Sequence, residues 1–191
     1  MWVAFEGHDG SGKTSTAEAV AMELSKQGKD VLFIRTPGTT SFGKYIRANW
    51  HKNETVRMLQ FIANHVEVIE EVVKPQLSKG GWVVQDRLYL SSLVYSGWAG
   101  KLSLEGIATT AKLWIDKMPD LLFVLQCSTE VALARLSALD KDLIDPDGTE
   151  LDKIRWGYAI EAKVHKADVV DTTEQPQEDV IKYCLQRIAQ L

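Results

Sequence analysis

Residues 7–14 have the types and the spacing needed to hold phosphate groups. They read Gly-His-Asp-Gly-Ser-Gly-Lys-Thr and fit the pattern G-x-x-x-x-G-K-S/T, between an apolar run and an amphipathic stretch. Glycines let the backbone turn closely enough for its N–H groups to face phosphate oxygens, and the N-terminus of a following helix adds a positive field. In this pattern the lysine reaches the terminal phosphates and the hydroxyl can bind Mg²⁺. The sequence therefore predicts a nucleoside triphosphate site. Its expected residues are Gly10, Ser11, Gly12, Lys13, Thr14 and Ser15.

Charged residues follow two later apolar runs, at points where strands would end. Asp86 and Arg87 come directly after residues 82–85. A carboxylate there suits Mg²⁺ or its water ligands, and a guanidinium can hold a phosphate bidentately, although the two side chains could also form a plain surface ion pair. A Pro-Gly turn after residues 31–35 leads into a helix that carries Lys44 and Arg47 on one face. Together with Arg87, these cations predict a site for a second anion.

Five short apolar runs alternate with longer helical stretches along the chain. Such alternation favours an α/β fold, in which helices cover both faces of a parallel sheet and ligands bind at the carboxyl ends of the strands. Strands are expected at residues 2–6, 31–35, 82–85, 121–126 and 169–171, and the clearest helices at residues 56–77 and 176–188. The sequence has 191 residues and shows no linker or repeat, so a single domain, residues 1–191, is expected.

Residues 136–149 form a polar interruption between two helical stretches. They contain several charged residues and a Pro-Asp-Gly turn, and are too charged to belong to a core. A segment of this kind is typical of a mobile lid that closes over substrates.

The composition of the chain indicates which binding partners and which cellular compartment to expect for the protein. The formal net charge is −4 and no basic block is present, so binding to polymeric nucleic acid is not expected. Cys127 and Cys184 lack a C-x-x-C or His-rich context, which favours a reducing compartment without a zinc site or disulfide framework. No apolar stretch approaches the roughly 20 residues of a membrane span. With a strand at the very start, no cleaved signal is expected, and a cytoplasmic protein is predicted.

The class of phosphate-loop protein can be narrowed from the sequence. A guanine-specific GTPase would carry Asn-Lys-x-Asp, which this sequence lacks. An ATPase motor or a transporter subunit would usually be longer. The length therefore favours a small phosphotransferase, whose second substrate should bind at neighbouring strand ends.

Four segments carry a more specific pattern. They are residues 5–14, 35–40 (Arg-Thr-Pro-Gly-Thr-Thr), 86–97 (Asp-Arg-Leu-Tyr-Leu-Ser-Ser-Leu-Val-Tyr-Ser-Gly) and 118–121 (Met-Pro-Asp-Leu). In order and spacing, over nearly the whole chain, they resemble the thymidylate kinase family of nucleoside monophosphate kinases. The resemblance implies a three-layer P-loop NTPase fold with a five-stranded parallel sheet and a short lid. It also implies transfer of the γ-phosphate of ATP onto dTMP with Mg²⁺, commonly by a homodimer.

The resemblance assigns roles on the phosphate side of the site. Lys13 would spread the charge that develops on the transferred group. Arg47 and Arg87 match arginines that bind the acceptor phosphate, and Asp9 matches an acid that lies near the acceptor sugar and phosphate. The expected metal ligands are Thr14 and Asp86.

On the base side, the resemblance gives both matches and departures. Phe61 matches the aromatic ring that stacks on thymine, Tyr95 the ring against the deoxyribose, and Ser92 a hydroxyl beside the base. The family has an arginine at the position of His65 and a glutamine at that of Ser96. The resemblance therefore implies a base site with fewer donors, built around these five residues.

The triphosphate side also departs from the family. Members carry an arginine either in the lid or inside the P-loop, and this sequence has neither. The nearest basic residues that could supply the missing charge are Arg135, Lys141 and Arg155.

Three other functions stay open at this point. The base-side departures favour a kinase for another deoxynucleotide, such as a 5-substituted deoxyuridylate like 5-hydroxymethyl-dUMP. A kinase that acts on a base or an end in DNA is also conceivable, although the acidic chain disfavours it. The missing arginine would fit a non-catalytic nucleotide-binding module as well.

Overall fold

The computed structural model describes residues 1–138 and 148–191. In these ranges five parallel strands form one sheet in the order β2-β3-β1-β4-β5. Their bounds are β1 (Trp2–Gly7), β2 (Val31–Arg35), β3 (Trp82–Asp86), β4 (Leu121–Gln126) and β5 (Asp168–Asp171). The predicted five-stranded parallel sheet is thus confirmed, and each expected strand lies within one residue of its observed bounds. β1, which leads into the segment at residues 7–14 (the phosphate loop), is the central strand and is completely buried.

Helices connect the strands and cover both faces of the sheet. They are α1 (Lys13–Lys26), α2 (Ser41–Ala48), α3 (Glu54–Val68), α4 (Lys74–Ser78), α5 (Leu90–Ser92), α6 (Leu104–Trp114), α7 (Thr129–Ser137), α8 (Thr149–Val164) and α9 (Gln177–Ile188). In the described ranges, none of them combines the length and the apolar character of a membrane-crossing helix.

Two π-helical segments interrupt the helical regions. Ile69–Val73 separates α3 from α4, so the predicted helix at residues 56–77 is divided just before Pro75, which has no N–H to donate to the preceding turn. Leu93–Trp98 continues α5 and carries two of the predicted site residues. The predicted lid at residues 136–149 lies largely in residues 139–147, outside the described residues.

Alternating side chains of β1 divide the core into two layers. Trp2 and Ala4 pack with α3 and α6, whereas Val3 and Phe5 face the opposite cluster, formed with α1 and α9. A strand held from both faces fixes its carboxyl end, because interiors packed at crystal-like density move little. The loop that follows β1 therefore starts from a fixed point.

The phosphate loop also packs closely against β4 and α7. A Cβ on Gly10, whose φ is +80°, would lie 2.7 Å from the carbonyl oxygen of Ala132. A Cβ on Gly7 would collide with the carbonyl oxygen of Leu125. These two glycines are required by the close approach of neighbouring backbone as well as by the turn itself.

His8 joins the phosphate loop to the end of β4. Its side chain is fully buried, its Nε2 lies 3.1 Å from the backbone N of Cys127, and its Nδ1 lies 2.8 Å from the carbonyl oxygen of Asp9. A backbone N–H can only donate, so Nε2 accepts and the ring proton lies on Nδ1. Burial is the largest cause that lowers the pKa of His8, to about 4. The imidazole is therefore neutral where it braces the loop.

Protonation of His8 should make the protein less stable in acid. Its pKa is about 4 in the fold against 6.5 for an exposed imidazole. The contribution of neutral His8 to the free energy of unfolding is complete above pH 6.5. From there down to about pH 4, the unfolded chain binds a proton that the folded chain does not. Over this range, protonation of His8 in the unfolded chain should lower the free energy of unfolding by up to about 1.4 kcal/mol for each pH unit.

His8→Gln tests this expectation, because an amide still offers an acceptor to the Cys127 N–H but does not titrate. Urea unfolding of both proteins at pH 7 and pH 4.5 should give a larger loss of unfolding free energy for the wild type than for the variant. Equal losses would show that His8 is not the titrating group.

Candidate active site

The backbone of the phosphate loop turns around the amine of Lys13. Gly12 has φ +85° and is the N-cap of α1, so that helix begins at Lys13. Lys13 is 4% exposed, and its Nζ lies 3.1 Å from Oδ1 of Asp9 and 3.4 Å from the carbonyl oxygen of His8. Burial, followed by the charge of Arg87, lowers the pKa of Lys13, and the carboxylate of Asp9 opposes this. A compact cation is therefore held inside the loop, where phosphate oxygens can replace the weak carbonyl contact.

Asp86 places a buried carboxylate beside the first turn of α1. It is fully buried at the end of β3, opposite Phe5 in the sheet register. Its Oδ2 accepts a hydrogen bond of 2.7 Å from Oγ1 of Thr14 and lies 3.2 Å from Nε of Arg35. Its Oδ1 has no hydrogen-bond partner among the described residues. The arrangement offers hydroxyl and carboxylate oxygens, which are the ligands that Mg²⁺ prefers.

Arg35 was not predicted as a site residue, although it ends β2. Its Nη2 lies 3.5 Å from the Thr14 hydroxyl, in addition to the Nε contact with Asp86. Because β2 and β3 are parallel neighbours, Arg35 and Asp86 are paired in register. Position at a strand end was the signal in the sequence that could have identified Arg35.

Lys13, Thr14 and Asp86 form the half of the site at the phosphate loop. Arg87 begins the other half, and its backbone conformation is unusual. Its φ is +76°, which costs energy for a residue with a Cβ and is seen mainly where the surroundings enforce it. Its guanidinium lies 3.1 Å from Oδ1 of Asp9 and 3.3 Å from Oγ of Ser91, and its Cζ lies 5.4 Å from the ring centre of Tyr95. The strained turn thereby directs Arg87 towards the phosphate loop.

A buried carboxylate from β1 holds that turn. Oε1 of Glu6 accepts hydrogen bonds from the backbone N–H groups of Leu88 (2.7 Å) and Ser91 (3.0 Å). Oε2 lies 2.8 Å from the hydroxyl of Ser91 and 3.0 Å from that of Tyr158. Burial raises the pKa of Glu6, and Arg87 opposes this. Glu6 belongs to no predicted set of site residues, although a carboxylate in an otherwise apolar strand is a signal for a buried hydrogen-bond network.

A cleft of about 430 Å³ lies beside the phosphate loop, with Asp9 and Arg87 in its lining. Seven of the eight predicted acceptor residues line it. They are Asp9, Arg47, Phe61, Arg87, Ser92, Tyr95 and Ser96. Arg47, on α2, reaches the turn at Gly38, where an added Cβ would lie 3.2 Å from its Nη1. Burial raises the pKa of Tyr95 to about 12, so its hydroxyl is neutral at the cleft wall.

His65 is the predicted acceptor residue that does not line the cleft. It is 1% exposed and shares the core-facing side of α3 with Ile62 and Val68, three residues away on either side. Neither ring nitrogen has a hydrogen-bond partner among the described residues, and burial lowers the pKa of His65 to about 4. In this structure the side chain is a neutral part of the core.

Two residues that carried no recognised motif line the cleft beside Phe61. The ring of Trp50 meets that of Phe61 edge-on, with 5.5 Å between the centroids. Arg57 lies over Trp50, with its Cζ 5.5 Å from the ring centre. The spacing of Arg57 and Phe61, one helical turn apart on α3, was the available signal.

Of the three basic residues near the predicted lid, Arg135 and Arg155 are described, and they have different hydrogen-bond partners. The guanidinium of Arg135 donates to the carbonyl oxygen of Gly10 at 3.1 Å and to that of Thr172 at 2.7 Å, and therefore contacts the phosphate loop from its outer side. Arg155 binds the hydroxyl of Thr129 at 2.9 Å. Lys141 lies outside the described residues.

Comparison with known proteins shows the family of the chain. The sequence profile of the family described as Thymidylate kinase matches residues 5–182. The chain is 36% identical to the thymidylate kinase of Thermosipho africanus over 83% of this chain and 82% of that one. It is 33% identical to that of Coprothermobacter proteolyticus over 98% of both chains. The crystal structure of thymidylate kinase from Ehrlichia chaffeensis has the same fold, with a TM-score of 0.78 and 24% identity over 100% of this chain and 98% of that one. The profile match and these relatives show that the chain belongs to the thymidylate kinase family.

Proposed function

We propose that this chain transfers the γ-phosphate of ATP to dTMP, giving ADP and dTDP. The observation that carries the proposal is the position of Asp9. Its Oδ1 lies 3.1 Å from Nζ of Lys13 in the phosphate loop and 3.1 Å from the guanidinium of Arg87 in the cleft. A cation for the donor phosphates and a cation for the acceptor phosphate thus meet at one carboxylate. The named relatives, all thymidylate kinases, support dTMP as the acceptor.

The reaction is an in-line displacement at phosphorus. An oxygen of the acceptor phosphate forms a bond to the γ-phosphorus, and the bond from that phosphorus to the β,γ-bridging oxygen breaks, so that ADP leaves with the electron pair. The protein's contribution is position and charge. The backbone N–H groups of the phosphate loop and Lys13 hold the donor, while Arg47 and Arg87 direct the acceptor oxygen.

Mg²⁺ is part of the proposal, and the residues present fit it. Thr14 and Asp86 would hold the ion, since Oδ1 of Asp86 is buried without a partner among the described residues. A site with few carboxylates is usual for this ion, which keeps several waters and binds substrate phosphates. When bound, Mg²⁺ neutralises charge on the phosphate oxygens.

The remaining cleft residues suit the nucleoside part of the acceptor. Phe61 offers a ring on which a base can stack, and Tyr95 offers one beside the sugar. Ser92 and Ser96 add hydroxyl groups at the same wall. Arg135 is the described basic residue best placed to hold the outer side of the phosphate loop, and Lys141 stays a candidate for the missing lid charge.

Kinetic measurements on variants of two basic residues of α2, Arg47 and Lys44, test this function. The wild type should convert dTMP and ATP to dTDP and ADP. Arg47→Ala should lose about ten- to hundredfold in kcat/KM for dTMP, since a hydrogen bond between charged groups contributes roughly 1.5–3 kcal/mol. The KM for ATP should stay near its wild-type value. A coupled assay of ADP release, with dTMP and ATP varied in turn, measures both.

Lys44→Ala is the matched control. The sequence placed Lys44 with Arg47 in the second anion site, but in the structure Lys44 is exposed and is not among the cleft residues. It should leave both KM values unchanged. A wild-type protein that releases no ADP with any nucleoside monophosphate would refute the kinase proposal. If Arg47→Ala weakens the binding of ATP alone, Arg47 contacts the donor phosphates and not the acceptor phosphate.

We propose further that the protein is a homodimer in the cytoplasm. Adjacent helices α3 and α6 expose large apolar side chains, including Leu59 (47%), Leu113 (70%) and Trp114 (66%). Exposed apolar side chains on two neighbouring helices suit a two-fold interface, in which the same surface of each copy is covered. Both cysteines are free and buried, as is common in a reducing compartment.

Sedimentation velocity tests the dimer. The wild type should sediment at twice the monomer mass, and Leu59→Glu should sediment as a monomer, because it places a charge in the apolar interface. Met22→Glu changes an apolar residue on α1 that is slightly more exposed than Leu59, and this variant should remain dimeric. A monomeric wild type would contradict the proposal.

A further inference from the structure

Arg57 brings a positive charge to the aromatic part of the cleft. It lies on α3 one turn before Phe61, and its Nη1 donates to the carbonyl oxygens of His51 (2.9 Å) and Lys52 (3.1 Å). Its Cζ lies 5.5 Å from the ring centre of Trp50, whose edge meets Phe61. One nitrogen of the guanidinium is thus fixed by the backbone, and the guanidinium carbon lies over an indole ring.

The other two nitrogens of the Arg57 guanidinium, Nε and Nη2, donate no hydrogen bond to the described residues. A guanidinium carries five N–H groups, and the hydrogen bonds from Arg57 to the described residues all come from Nη1. Arg57 is half-buried and forms no ion pair with a described residue. Its Nε and Nη2 are therefore available to a ligand that enters the cleft.

The neighbours of Arg57 place it with the base rather than with the phosphate. Its contacts are Trp50 and the backbone of residues 51 and 52, whereas Arg87 contacts Asp9, which in turn binds Lys13 in the phosphate loop. Phe61, Met58 and Trp50 are uncharged. Since His65 does not line the cleft, it supplies no donor there.

We propose that Arg57 is a specificity-determining residue, which donates hydrogen bonds to the 4-oxo group of the acceptor pyrimidine. This inference rests on the proposed function and deepens it. A guanidinium has donors and no acceptor, so it complements the O4 acceptor of thymine or uracil and opposes the 4-amino group of cytosine. With cytosine, the guanidinium and the 4-amino group would both be donors without an acceptor in a desolvated cleft. This cost is a strong basis for rejecting a cytosine nucleotide.

Two acceptors that differ only at C4 isolate this contact. dTMP carries an oxygen there and 5-methyl-dCMP an amino group, while the sugar, the phosphate and the 5-methyl group are the same. The measured quantity is the ratio of kcat/KM for dTMP to kcat/KM for 5-methyl-dCMP. A residue that merely holds the 51–52 loop would change both constants alike and leave the ratio unchanged.

The variants Arg57→Gln and Arg57→Lys give opposite expectations. A glutamine amide can turn either its N–H₂ or its oxygen to the base, so Arg57→Gln should lower the ratio about tenfold or more. A lysine still has donors only, so Arg57→Lys should keep the preference for dTMP. Lys52→Gln, which removes an exposed positive charge in the same loop, should leave the ratio at the wild-type value.

The possible failures can be told apart. If the wild type uses dTMP and Arg57→Gln keeps the wild-type ratio, Arg57 does not read C4 and the inference is overturned while the proposed function stands. If the wild type phosphorylates no pyrimidine monophosphate, the proposed function fails and this inference fails with it.

Discussion

The carboxylate of Glu6 is the junction on which the geometry of the site depends. Phosphoryl transfer needs two anionic substrates aligned to within a fraction of an ångström, so the donor and acceptor halves must share a rigid support. Glu6 lies on β1, directly before the phosphate loop, and it accepts hydrogen bonds from the turn that carries Arg87 and Ser91. A carboxylate that is completely buried is costly unless its oxygens are satisfied, and four donors satisfy this one. The two halves are thereby joined by a network that tolerates little displacement.

Charge in the site follows from that arrangement. Lys13 and Arg87 would repel each other without an anion between them, and Asp9 supplies one, at 3.1 Å from each. In the proposed mechanism, bound phosphates would supply several more anionic groups, and the two substrates together would compensate the charge of these cations. Because Lys13 is buried, its charged form costs more than it would at the surface, and this lowers the pKa of its ammonium group. Binding of phosphate removes that cost.

Positions that depend on a local pattern could be predicted from the sequence, and positions that depend on packing could not. The phosphate loop, the five strands and Asp86 follow from glycine spacing, apolar periodicity and position at a strand end. His65 differs, because its position in the family pattern suggested the base, while its side chain lies on the core face of α3 with Ile62 and Val68. The cleft positions of Trp50 and Arg57 arise from how the loop before α3 folds back on that helix, which no short motif encodes.

The proposed transfer requires the acceptor to bind in the cleft beside Asp9, with its phosphate facing the phosphate loop. A crystal structure with dTMP and a non-hydrolysable ATP analogue measures this directly. The account predicts the acceptor phosphate within hydrogen-bond distance of both Arg47 and Arg87, its base against Phe61, and the γ-phosphate at Lys13. A monophosphate bound outside the cleft, or one whose phosphate lies away from Arg87 while the analogue fills the loop, would contradict it.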